Sequence, residues 1–312
     1  MTDTNKSLNI TVLMGGPSSE REISLLSGQA ISQGLTQAGH NVKQADISPD
    51  DISALDDPAD LFFIALHGDF GESGQVQQLC QERNLIYTGS GPKASQLGMD
   101  KIASKEVFRN AGLNTPDWIV LDQTQSENTY HKLIENFPLP CVVKPISAGS
   151  SVDVFICDEF EMLHQHAIQL LDKYDRVMVE QFVAGREVTV GILGNQALPL
   201  IEIRPDSEFY DHFAKYSDQA KTSYVFDHGI SKDIVERCQQ EALVAFQKLG
   251  CRDLSRVDFI IDENDVPQVL EINTIPGFTS HSLLPQAAKK NGIEFTDLVD
   301  QIAKLALQRK VD

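Results

Sequence analysis

The chain has 312 residues, room for one large domain or two to three modest ones, each with a real core. It carries 26 Lys plus Arg against 45 Asp plus Glu, a formal charge of −19. That balance argues against nucleic acid or an anionic membrane as partner, because phosphate surfaces need clustered positive charge; a nucleotide needs only two or three placed cations and stays open.

Leu8–Met14 predicts a short apolar strand that ends at Gly15-Gly16-Pro17. A helix follows to about Ala38, with Ser19 and Glu22 spaced as a capping box and Gly39 as its stop. Asn41–Asp46 and Leu61–Leu66 predict two more strands. The second is wholly apolar, the signature of a strand buried on both faces of a parallel sheet. It runs into His67-Gly68 and a glycine-rich loop, placing loops at strand ends, where α/β domains hold ligands. Tyr87–Pro92 reads as a linker, and Ala94–Asn110 as one helix with Lys101 in its middle.

Cys141–Pro145 predicts a strand leading into the small-residue turn Ala148-Gly149-Ser150-Ser151. Backbone N–H groups in such a turn can cradle phosphate, although a Ser/Gly turn after a strand often does no more than turn. There is no P-loop motif. Val177–Glu180 and Glu187–Leu193 predict strands. Residues 207–227 form a long polar stretch of the kind that makes a lid or stays disordered. Ser231–Leu249 is an amphipathic helix closed by Gly250, and further helices start at Ser282 and Phe295.

Between them lies a predicted hairpin turning at Asp262–Asp265. Side chains alternate along a strand, so Arg256 and Asp258 share one face, with Val257, Phe259 and Ile261 on the other. Glu271 and Asn273 share the polar face, with Leu270 and Ile272 opposite. Oxygen donors of this kind suit magnesium beside substrate phosphates; the same pattern also describes a solvated sheet face. Five scattered cysteines without Cys-x-x-Cys read as reduced thiols of a cytoplasmic protein. The polar start carries no signal-peptide pattern, and no apolar run approaches the roughly 20 residues of a membrane span.

The ordered set Gly15–Ser24, His67-Gly68, Tyr87–Gly91, Met99–Lys101, Val143–Pro145, Gly149–Val152, Phe209–Asp211, Ala214–Tyr216, Arg256–Asp258 and Glu271–Ser282 resembles the D-alanine–D-alanine ligases, an ATP-grasp family. The likeness runs from about residue 8 to 305. It implies an α/β protein, α+β in its ATP-binding part, with three domains: a parallel-sheet domain over 1–100, a central subdomain over 101–186 and a C-terminal one over 187–312.

It also implies that ATP is held by Lys101, Lys144, Ser151, Glu180, Phe182, Glu187 and Lys215. Two Mg2+ ions (or Mn2+ in their place) would sit on Asp258, Glu271 and Asn273. Glu20 would take the first D-alanine's ammonium with His67 close by, and Ser282 and Leu283 the second substrate's carboxylate. Arg256 and the Gly277 N–H would steady a tetrahedral intermediate. A lid over 207–227 would bring Tyr216 to Ser150, and tyrosine there favours dipeptide over depsipeptide synthesis. The resemblance further implies peptidoglycan precursor synthesis and a homodimer formed through the N-terminal domain. The chain departs from the family at Ala148, where an acidic residue is usual, and at Asp153, where glycine is usual. Asp153 should weaken ATP binding unless its carboxylate points away, and should cost backbone energy if φ is positive.

Overall fold

The computed structural model describes residues 7–125, 127–149, 152–204 and 222–309. Three sheets organise it. β1 (Asn9–Met14) lies between β2 (Asn41–Asp46) and β3 (Leu61–Ile64), all parallel. The apolar run of β3 follows from that position: Leu61 and Phe63 pack on one side of the sheet, Phe62 and Ile64 on the other. The first side is covered by the Arg21–Gln37 helix and by the Phe295–Gln308 helix from the far end of the chain, through Ile31, Leu35, Leu298 and Ile302. Gly34 permits this approach, because a Cβ there would lie 2.9 Å from Val299.

The second sheet is antiparallel, in the order β4 (Trp118–Asp122), β7 (Arg176–Gln181), β5 (Cys141–Pro145), β6 (Phe155–Cys157). One face packs under the Glu127–Glu135 and Phe160–Leu171 helices through Val143, Leu163 and Val179. The third sheet runs β11 (Ser223–Val225), β10 (Ile201–Arg204), β8 (Gly185–Leu193), β12 (Leu254–Asp262), β13 (Pro267–Asn273), with β9 (Gln196–Ala197) paired to β8. Its Val188, Val190, Val257 and Phe259 pack with the Lys232–Leu249 helix, and Ala94 and Phe108 join the same core. The Leu283–Lys290 helix reaches β8 from the other side. Cores therefore run across residues 100 and 187: the 101–110 helix packs on the third sheet, and the last helix on the first.

Several local expectations are corrected. The first helix begins at Arg21 without a side-chain cap. Glu20 occupies the cap position but lines the central cleft, and Ser18 Oγ accepts from the Glu20 N–H instead. The single helix 94–110 is two, Pro92–Met99 and Lys101–Asn110. Asp100, in extended conformation, caps the second by accepting from the Ile102 and Ala103 N–H groups. Lys101 consequently opens a helix rather than sitting within one. Residues 87–92 are no slack linker: Tyr87 bridges Phe62 in parallel, and Thr88 and Ser90 are buried. The strand at 223–225 occupies part of the expected lid, whose residues 207–221 lie outside the described residues.

Asp100→Ala removes two helix-start hydrogen bonds and is expected to cost about 1 kcal/mol, measurable by denaturant titration. The helix it caps carries Lys101, which the resemblance assigns to ATP, so on that expectation the KM for ATP should rise in the same variant.

Candidate active site

The hairpin β12–β13 forms with the predicted polar face. Arg256 lies opposite Asn273 and Asp258 opposite Glu271, while Val257, Phe259 and Ile261 are buried behind them. A bulge interrupts the register: Phe259 pairs with Val269, so Leu270 is the extra residue and Val269, with Ile272, takes the core position expected of Leu270. A bulge of this kind turns the strand and re-aims the side chain beside it, here Glu271. Asp262 holds the turn by accepting from the Asn264 and Val266 N–H groups.

On that face Arg256 donates to both Asp258 oxygens, at 2.9 and 2.8 Å, and Thr189 Oγ1 on β8 donates to Asp258 at 2.5 Å. Charge-assisted bidentate pairing of this type fixes both partners' orientation. Asn273 Oδ1 accepts from the Ile275 N–H, starting the turn toward Gly277. Two carboxylates and a carboxamide within one hairpin are hard oxygen donors, and the donor set fits magnesium or manganese.

One cleft collects nine of the fourteen expected residues that are described. Glu20, His67, Lys101, Arg256, Glu271, Asn273, Gly277, Ser282 and Leu283 all line it, and Asp258 sits behind Arg256. Lys101 Nζ donates to the Ala148 carbonyl at 2.6 Å and lies 3.6 Å from Glu271 Oε2, tying the small-residue turn to the hairpin. Glu20 Oε2 would lie 3.5 Å from a Cβ at Gly149, an ordinary contact distance that brings Glu20 up to the small-residue turn. His67 is buried, and its Nε2 has no hydrogen-bond partner among the described residues. Ser282 stands at the N-cap position of the Leu283–Lys290 helix without a side-chain cap bond, and Ser282 and Leu283 both line the cleft.

Lys144, Glu180 and Glu187 are not among the residues that line this cleft. Glu180 is almost fully buried, with Lys144 Nζ at 2.5 Å and Lys105 Nζ at 2.6 Å. Burial alone would push the Glu180 carboxyl up; the two lysines outweigh it and hold it below the usual carboxylate range. Burial pushes the Lys105 ammonium down to about 8, against the pull of Glu180. Glu187 alternates with Thr189 on β8, opposite the core residues Val188 and Val190. Phe182 is not brought to the cleft: it lines a separate pocket with Thr115, Asp117 and Asp262. Ser150, Ser151, Lys215 and Tyr216 lie outside the described residues.

Lys105 and Thr189 escaped the reading of the sequence. The spacing of Lys101, Lys105 and Arg109 at every fourth residue was the available signal for the first, the alternation with Glu187 for the second. Asp153 meets one expected condition and escapes the other. Its φ is +57°, the left-handed region glycine favours. Its carboxylate, however, is bonded by Lys173 and by Tyr174 Oη at the end of the Phe160–Leu171 helix, which lowers its pKa. Its charge is thus matched by Lys173.

A cleft lined by Lys101, Arg256 and carboxylates, where the turn after β5 meets the β12–β13 hairpin beside a parallel-sheet domain, has the architecture of an ATP-grasp ligase. The family described as D-ala D-ala ligase C-terminus matches residues 107–304. The D-alanine–D-alanine ligase of Desulforamulus reducens is 41% identical over 97% of this chain and 99% of its own length. The Bacillus anthracis ligase superposes with a TM-score of 0.84 at 33% identity, covering 97% of this chain and 98% of that one, and also has a structure in complex with ATP. The VanG D-Ala:D-Ser ligase of Enterococcus faecalis superposes at 0.86 with 25% identity, over 96% and 100% of the two chains. The chain belongs to the D-alanine–D-alanine ligase family.

Asp153→Gly relieves a positive φ and removes an exposed latch, and exposed ion pairs contribute little, so the KM for ATP should stay within about twofold. A fall of about tenfold would instead mean that this charge opposes the triphosphate.

Proposed function

We propose that the chain joins two D-alanine molecules into D-alanyl-D-alanine with cleavage of ATP to ADP and phosphate, through a D-alanyl phosphate, and that the dipeptide serves peptidoglycan precursor synthesis. The observation that carries this reading is the single cleft shared by Glu20, Lys101, Arg256, Glu271, Asn273 and the start of the Leu283–Lys290 helix. Separate sites for an ammonium, a polyphosphate, a developing oxyanion and a carboxylate converge there.

In this reading the first D-alanine binds by its ammonium at Glu20, beside His67, and its carboxylate attacks the γ-phosphate. An ionised carboxylate resists nucleophiles, and phosphorylation supplies the leaving group. Lys101 and Lys144 compensate phosphate charge, with Ser151 and Lys215 as further contacts. Glu180 accepts from the adenine amine, and Glu187 from the ribose. Asp258, Glu271 and Asn273 would hold magnesium, which supplies charge neutralisation at phosphate oxygens. The second D-alanine is held by its carboxylate at Ser282 and Leu283. Its amine attacks the acyl carbon, loses a proton, and phosphate leaves. Arg256, aligned by Asp258, and the Gly277 N–H steady the oxyanion between these events. Ser150 and Tyr216 belong to the lid that keeps water from the acyl phosphate.

The reading includes an N-terminal domain over 1–100 and ATP-grasp subdomains over 101–186 and 187–312, a homodimer and a cytoplasmic location. Likeness to the VanG ligase favours D-serine as the acceptor to test beside D-alanine.

Purified protein with ATP and magnesium should release phosphate with D-alanine alone and yield a product with the mass of D-alanyl-D-alanine. Release only after D-serine is added would move the reading to a mixed-acceptor ligase. Arg256→Ala should lower kcat by about 10²–10³ while ATP binding persists; undiminished turnover would remove Arg256 from its role.

A further inference from the structure

Lys105 is an unusual residue for this site. It is fully buried, although a lysine side chain loses both hydration and rotamer freedom on burial. It sits one turn beyond Lys101 on the Lys101–Asn110 helix and faces the side of the second sheet that carries Trp118, Lys144 and Glu180. Its ammonium is enclosed on every side: Glu180 Oε1 at 2.6 Å, Thr115 Oγ1 at 2.5 Å, and the Trp118 ring at 5.3 Å. Thr115 is itself fixed, donating to the Val269 carbonyl on β13.

Glu180 therefore has two cations of different character. Lys144 stands on β5, next to the small-residue turn, with its side chain partly open to solvent. Lys105 is sealed and has no route to a ligand. A buried carboxylate that loses its only counter-charge either takes up a proton or reorients, and in both cases it ceases to be a fixed acceptor. When Lys144 turns to phosphate, one cation remains on Glu180, and that cation cannot leave.

We propose that Lys105 is a positioning residue for nucleotide binding: it keeps the Glu180 carboxylate ionised and fixed as an acceptor for the adenine amine while Lys144 is engaged by phosphate. The proposal rests on the reading that Glu180 and Lys144 face the nucleotide. Lys105 itself touches neither substrate nor reacting atoms, so its effect falls on the KM for ATP rather than on kcat.

The test compares Lys105→Met, Glu180→Gln and the double variant, with steady-state kinetics for ATP and D-alanine and melting temperatures. Lys105→Met should raise the KM for ATP by about tenfold or more, with kcat at saturating ATP within about threefold and the KM for D-alanine unchanged. Glu180→Gln should raise the KM for ATP as well, and adding Lys105→Met to it should raise it no further, since the two side chains act as one unit. A KM for ATP unmoved by Lys105→Met but raised by Glu180→Gln would overturn the proposal alone. A KM unmoved by Glu180→Gln would overturn the nucleotide reading of Glu180 and the proposal with it. Should Lys105→Met alone not fold, the double variant, which removes both buried charges, decides: a KM for ATP equal to that of Glu180→Gln supports the proposal, and a further rise overturns it.

Discussion

The register of β12 against β13 is the constraint on which the site depends. Pairing Asp258 with Glu271 and Arg256 with Asn273 puts four polar side chains on one patch of sheet, and the buried row Val257, Phe259 and Ile261 makes any other register costly. A slip of one residue would send Arg256 and Asp258 into the core shared with the Lys232–Leu249 helix. The bidentate Arg256–Asp258 pair and the Thr189 hydroxyl then lock the patch from β8. Lys101 joins it to the second sheet through Ala148.

Charge compensation repeats across the cleft in a chain whose formal charge is −19. Asp258 has Arg256, Glu271 has Lys101 at 3.6 Å, and Glu180 has both Lys105 and Lys144. Buried carboxylates need such partners, because desolvation otherwise drives them to the neutral form. Of these cations Lys105 is sealed, and Lys101 and Lys144 are the two that the proposed function gives to phosphate.

Much of this was legible in the sequence because it followed from periodicity. Alternation gave the two faces of β12, the apolar run gave a doubly buried β3, and the stop at Gly250 ended its helix in the left-handed conformation expected of such a cap. What escaped depended on events that periodicity does not encode. The β12–β13 bulge exchanges Leu270 for Val269 in the core. Asp100 breaks a pattern that looks continuous, because its carboxylate satisfies a new helix start. Lys105 reads as a surface lysine until the second sheet is laid over its helix. Asp153 looked like a charge aimed at phosphate, and only the three-dimensional neighbourhood of Lys173 and Tyr174 reveals its other partners.

The packing of the Phe295–Gln308 helix on the first sheet bears on how the chain is made. Ile10, Val12, Ile31 and Leu35 are made well before Leu298, Val299, Ile302 and Ala306, which cover them. Contacts of such separation require closure of almost the whole chain before they contribute. The first sheet can form its strand pairs as it emerges, but one of its apolar faces stays open until residues 295–308 have been made. This part of the protein therefore completes its core only with that distant helix, and it is exposed to premature association until the helix arrives.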